Sequence, residues 1–182
     1  IWDHLRWQLN FAHFSPVDQL IAECIVDGID ERGYLAISLL EVKEAVEQQL
    51  QELLRLAGSD ELEELGDGTL EMAEVEVVLK RVQNFEPVGV GARNLQECLT
   101  LQLKALPEQT ASRADALKLM ECHELLVAND ITRLMRQTQL DQDALKAALM
   151  LVKSLDPYPG SKFEDAERDQ QVPDVVVRKK NN

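Results

Sequence analysis

Apolar residues return every three or four positions through almost the whole chain, and this spacing limits its fold more than any other feature. On a helix of 3.6 residues per turn such a stripe lies on one face and needs a partner to cover it, whereas a half-buried strand would need strict alternation. The stripe begins with Trp2, Leu5, Leu9 and Ala12, stops at Phe14-Ser15-Pro16, and resumes with Val17, Leu20, Ile21 and Cys24. Ser15 is placed to cap the second helix by accepting from the Asp18 amide. Pro16 suits the first helical position, Asp18 complements the positive end of the helix dipole, and Gly28 ends the helix.

Ile29 to Leu35 reads as a turn. Ser38 and Glu41 then form a capping box ahead of a long helix with the stripe Leu39, Val42, Val46, Leu50, Leu53 and Ala57. Between Gly58 and Met72 the period fails among glycines and acids, which predicts an exposed acidic connection. The next stripe, Val75, Val78, Leu79, Val82 and Phe85, is stopped at Glu86-Pro87, because the residue before a proline is pushed out of the helical region. A further helix is expected from near Gly91 through Leu95, Cys98, Leu99 and Leu103 to Pro107. Residues 112 to 128 are apolar on two faces, as a central helix would be. Helices over Ile131–Gln137 and Ala144–Leu155 flank a short turn with helix-turn-helix spacing.

Asp156-Pro157-Tyr158-Pro159-Gly160 closes the helical region, and Val172 to Val177 reads as a strand without a partner, which implies a natural chain continuing past Asn182. The expectation is therefore an all-α chain of two packed helical bundles, the second helix-turn-helix-like, with a short strand at the C-terminal end. The first bundle spans 1–106 with its acidic connection at 58–72, the second spans 107–160, and 161–182 is an extended linker and strand.

Function is bounded first by charge. The chain has 182 residues, 33 acidic and 19 basic, for a formal charge of -14, and 45% of it is apolar, enough to bury a real core. Residues 41–80 alone hold 12 acids and 3 bases. Duplex binding draws its affinity from lysine and arginine neutralising phosphates, so this balance opposes it. The helix-turn-helix-like unit at 131–155 carries Arg133 and Arg136 on its first helix, leaving weak contact with DNA held by something else. Asp141 and Asp143, however, stand at the start of its would-be reading helix. Three widely spaced cysteines, Cys24, Cys98 and Cys122, read as reduced buried thiols, not a disulfide framework or a metal site. No apolar run approaches a membrane span and the first residues do not form a secretory signal, so a soluble, cytoplasmic protein without membrane contact is expected. His4, His13 and His123 have no recognisable nucleophile partner, so no enzyme and no catalytic residue is predicted.

The most unusual segment is Phe85-Glu86-Pro87-Val88-Gly89-Val90-Gly91-Ala92-Arg93-Asn94. It lacks the third small residue of a dinucleotide fingerprint and the Lys and Ser or Thr of a P-loop, so it reads as a turn that brings two helix backbones close and presents Arg93. Continued to Leu99, it closely resembles the most characteristic stretch of the sigma-54 family of bacterial RNA polymerase sigma factors. Phe14 to Ile21, Ile29 to Leu35, Leu155 to Gly160 and Val172 to Val175 follow in that family's order and roughly its spacing, so the resemblance covers nearly the whole chain. Asn94 departs from it, standing where the family commonly has Asp.

The resemblance implies the central, core-binding part of a longer factor. Residues 1–106 would be the core-binding subdomain, docking on core RNA polymerase with Pro87, Val88, Gly89, Val90, Gly91, Arg93 and Asn94 shaping or touching the interface. Promoter DNA would be met mainly through C-terminal regions, and an activator ATPase through an N-terminal region, both missing here. No cofactor is implied, since ATP belongs to the activator. A promoter-contacting DNA module is the alternative, and a general acidic helical adaptor a third reading.

Overall fold

Helix follows helix in the computed structural model, which describes residues 1–56 and 67–163. In order they are α1 (Trp2–Phe11), α2 (Pro16–Asp27), α3 (Leu39–Leu56), α4 (Met72–Val82), α5 (Leu95–Ala105), α6 (Arg113–Glu121), α7 (His123–Val127), α8 (Ile131–Thr138) and α9 (Gln142–Lys153). Only isolated bridges stand outside them among the described residues, pairing Ile29 with Leu35 and Tyr34 with Ala92. The chain is all-α.

The starts of these helices follow from local chemistry. The Asp18 amide donates to the Ser15 hydroxyl at 3.1 Å ahead of α2. At α3 the Ser38 amide donates to Glu41 at 2.7 Å and the Glu41 amide to Ser38 at 3.2 Å, so each residue satisfies an amide left free by the first turn.

One set of buried side chains joins α1 to α4: Leu5 and Leu9, then Ile21, Ile25 and Val26, then Val42, Val46 and Leu50, then Val75 to Val82. In it α2 packs against α1, α3 and α4. A second set, with Leu103, Leu119, Leu134, Leu145 and Ala148, gathers around α6, which packs against α5, α7, α8 and α9. Each fully buried aliphatic side chain contributes about 1.5–3 kcal/mol relative to exposure, so the stripes do most of the holding.

Several expectations shift. The α3 stripe fades after Leu50, for Leu53 is 41% exposed and it is Leu54 that turns inward over Gly68. The end of the expected acidic connection is not exposed throughout: Gly68 and Leu70 are buried, and the Leu70 amide donates to the Glu47 carboxylate at 2.9 Å. Helix α4 stops at Val82, short of the proline, because Gln83 turns inward and donates to the Gly91 carbonyl at 3.1 Å. Helix α5 begins at Leu95 and not near Gly91, since Gly89 and Gly91 take φ of 99° and 70°, outside the helical region. The central helix of 112–128 is broken at Cys122 into α6 and α7, with φ -108° and ψ 28° there. Helix α9 opens two residues before Ala144, where Asp141 accepts from the Ala144 amide at 2.8 Å. The strand expected at Val172 to Val177, most of the acidic connection and the 164–182 part of the linker lie outside the described residues.

Candidate functional site

Three turns that are distant in sequence meet at one place. The first is the Ile29–Leu35 turn, in which the Asp30 carboxylate accepts from the Arg32 and Tyr34 amides at 3.0 and 2.8 Å. Onto it folds the Pro87–Asn94 loop: the Gly91 amide donates to the Gly33 carbonyl at 2.9 Å and the Leu35 amide to the Ala92 carbonyl at 2.9 Å. From the other side comes the Asp156–Gly160 turn, whose Gly160 amide donates to the Arg32 carbonyl at 2.9 Å. The Tyr34 hydroxyl donates to the Pro157 carbonyl, and the Tyr34 and Tyr158 rings meet edge to face at 6.4 Å.

Helix α5 carries the side chains that finish this junction. Gln102 donates to the Asp156 carbonyl at 2.6 Å and accepts from the Asp156 amide at 2.9 Å, clasping that residue's backbone from both sides. Its amide nitrogen also lies 3.3 Å from the Cys98 sulfur. Cys98 is fully buried, and burial pushes its thiol up, against the hydrogen bond from Gln102 that acts the other way. Burial also raises the Tyr34 hydroxyl, with the neighbouring Cys98 adding to it, so at neutral pH it is a protonated donor. Neither group is set up as a nucleophile, because each is held in its neutral form.

Of the residues singled out from the sequence, the loop members are brought together. Gly89 and Val90 are buried, and a Cβ on Gly89 would sit 2.9 Å from the Cys98 sulfur and 3.3 Å from the Cys98 carbonyl oxygen. The loop thus presses its backbone on α5, and only glycine fits there, all the more at φ 99°. Gly91 is buried too. Pro87 and the 42% exposed Val88 line a mostly apolar groove with Leu106, Leu155 and Pro159. Asn94 caps α5, accepting from the Glu97 amide at 2.9 Å, so an amide does at this position what a carboxylate would.

Arg93 does not project freely. Its guanidinium makes two bonds to Glu97, of 2.9 and 2.8 Å, and its amide donates to the same carboxylate at 2.7 Å. Burial works to raise the Glu97 carboxyl, but the bonds from Arg93 outweigh it and hold its pKa below the usual carboxylate range. Arg133 and Arg136 stand apart on α8, both exposed, with Arg133 3.9 Å from Asp130. Tyr34, Gln102, Gly33 and Gly160 were not singled out. The glycines lay within the quoted turns, but a lone Gln on a helix carries no sequence signal of its partner.

Among the described residues no group of three or more His, Cys, Asp or Glu is placed to hold a metal ion, and no helix is long and apolar enough to cross a membrane. The arrangement positions backbone and presents surface.

Known proteins match this chain throughout. The family model described as sigma-54 factor, core binding domain, matches residues 1–182. An RNA polymerase sigma-54 factor of Acinetobacter guillouiae is 47% identical over 180 residues, covering 99% of this chain and 35% of that protein. That of Pseudomonas aeruginosa is 42% identical over 179 residues, 98% of this chain and 32% of its own length. That of Escherichia coli is 40% identical over 180 residues, 98% and 34%. The chain spans about a third of the length of the curated relatives it matches.

Proposed function

The chain belongs to the sigma-54 factor family, matching its core binding domain from residue 1 to residue 182, and from that premise we propose that it binds core RNA polymerase through a module of two helical bundles. The observation that carries this reading is the match to a core binding domain along the whole length. Two separate sets of buried side chains support a division into residues 1–106 and 107–160, with 161–182 leading onward. The junction of the three turns then fixes the angle between the bundles; Pro87, Gly89, Val90, Gly91, Arg93 and Asn94 shape the docking surface more than they supply it, while the exposed Val88 is part of it. Promoter recognition and the response to an activator ATPase belong to other parts of the longer factor. The place of action is the cell interior, where polymerase works.

Charge sets how such a module meets its partner. With a formal charge of -14 it is steered toward basic surfaces, and opposite charge accelerates encounter and fixes orientation. Titrating the chain into purified core polymerase tests the reading. Saturable binding, with an association rate that falls as salt rises, is expected; no binding at any salt refutes it.

A second reading, a promoter-contacting DNA module, is favoured by the exposure of Arg133 and Arg136 on α8. Its log affinity for duplex would fall linearly with log salt. Tight, sequence-specific duplex binding near physiological salt without polymerase would reverse the order of the two readings.

A further inference from the structure

Resting on that reading, we propose that core polymerase docks on the outward face of α1, where Trp7 and Phe11 form an apolar anchor continued by Val88. The chain has only eight aromatic residues, yet two of them lie side by side in solvent: Trp7 is 59% and Phe11 64% exposed, with ring centroids 4.8 Å apart. One turn back the His4 ring stacks on Trp7 at 6.4 Å, and the Phe163 ring lies 5.1 Å from His4. His4, Trp7 and Phe11 lie along about 10 Å of helix, at 1.5 Å rise per residue, and Phe163 packs at the His4 end.

This row is held rigid from behind. Leu5 and Leu9, on the opposite side of α1, are buried in the first set. The Trp2 indole donates to the Ile29 carbonyl at 2.8 Å, and Arg6 pairs with Asp27 at 2.8 Å. Little backbone freedom of α1 is left to lose on binding, and large aromatics on a fixed helix are what interface anchors are made of.

The face also runs into the loop already read as interface-shaping. Gln8 donates to the Glu86 carbonyl at 2.6 Å and accepts from the Glu86 amide at 2.9 Å, which ties α1 to the loop two residues before the exposed Val88. Charge selects the occupant. The nearby cations are engaged internally, Arg6 with Asp27 and Lys162 with Asp156, while Asp3 and Glu86 make no ion pair among the described residues. The rim is therefore acidic and calls for an apolar recess edged by lysine or arginine. A second copy of a chain carrying -14 would be repelled, as would the phosphates of a nucleic acid whose bases could stack on the rings.

The test is a Trp7→Ser, Phe11→Ser double variant titrated against core polymerase, with Glu86→Lys beside it. Affinity of the double variant should fall by about tenfold or more, as for anchor residues elsewhere, with the melting midpoint unchanged because both rings are exposed. Glu86→Lys should slow association and flatten its salt dependence. Double-variant affinity within twofold of the parent overturns the inference and leaves the core-binding reading intact, whereas a parent chain that binds no core polymerase sinks that reading itself. The inference is equally overturned if the parent sediments as a dimer and the double variant as a monomer with core affinity unchanged. Loss of single-stranded oligonucleotide binding alone would overturn it too.

Discussion

Gly160→Ala should separate two turns that the folded chain holds in backbone contact. Gly160 does not have a positive φ, so alanine meets no backbone strain of its own and its cost is a collision. A Cβ there would fall 2.7 Å from the Arg32 carbonyl carbon and 2.7 Å from the Gly33 amide nitrogen, and against the Glu31 oxygen as well. None of these can rotate away. The Gly33 amide is tied to Asp30 and the Gly33 carbonyl to the Gly91 amide, so relief requires the two turns to part by roughly 1 Å to restore ordinary contact distances. That opens the 2.9 Å bond from the Gly160 amide to the Arg32 carbonyl and loosens the Tyr34 bond to Pro157.

Overpacking of this kind costs about 1–3 kcal/mol, and each lost bond adds about 1 kcal/mol. At roughly 2–4 °C per kcal/mol for a chain of this size, the melting midpoint should drop by about 5–15 °C. Gly28→Ala is the internal control, since the nearest atoms to its Cβ belong to side chains and not to backbone: Ile37, which can leave its rotamer for about 1 kcal/mol, and Leu35 at an ordinary 3.4 Å. Thermal unfolding followed by far-ultraviolet circular dichroism measures both. A Gly160→Ala midpoint equal to the parent's, or shifted less than that of Gly28→Ala, would refute the claim that the turns are locked through backbone.

Removing the α5 cap with Asn94→Ala should cost about 1 kcal/mol in urea unfolding, while Asn94→Asp keeps the acceptor and should stay near the parent. Arg93→Ala should raise the Glu97 carboxyl pKa in an NMR titration, because burial, which raises it, then acts with less opposition. In the parent that carboxyl is depressed, so the pair stabilises the fold above the unfolded-state carboxylate pKa and the contribution is lost as pH falls through the folded one. The variant's acid-unfolding profile should lack that segment, and an unmoved Glu97 titration would rule out the pairing.

What could be read ahead of the structure was what neighbouring residues settle between themselves. Ser15 with Asp18, and Ser38 with Glu41, are contacts of three residues' reach, and Val42, Val46 and Leu50 share a face whatever covers it. Errors arose where a distant partner decided. The α3 stripe runs on in sequence to Leu53, but the Asp67–Leu70 segment draws Leu54 inward instead. Helix α4 ends early because Gln83 finds a carbonyl eight residues away, an attraction that no apolar period records. Tyr34 and Pro157 are 123 residues apart, and nothing local to either announces the other. The loop was legible as a close approach, but the surface that Gly89 approaches, the Cys98 turn of α5, was not.

The same geometry bears on why the most recognisable residues of this chain are poor candidates for direct contact with a partner. Gly33, Gly89, Val90, Gly91 and Gly160 are buried, and the one strong cation of the loop is bound on two sides by Glu97. A buried glycine cannot supply binding energy, but it can fix the distance between the two proposed bundles, and on that proposal an interface spanning both depends on that distance. Side chains that supply the energy must be exposed and pre-organised, which describes Trp7, Phe11 and Val88 and not the loop's glycines. Substitutions should therefore divide into two kinds. Those in the junction weaken docking together with stability, because the two halves lose their relative placement. Those on the α1 face weaken docking alone, so measuring both quantities on the same variants separates scaffold from contact.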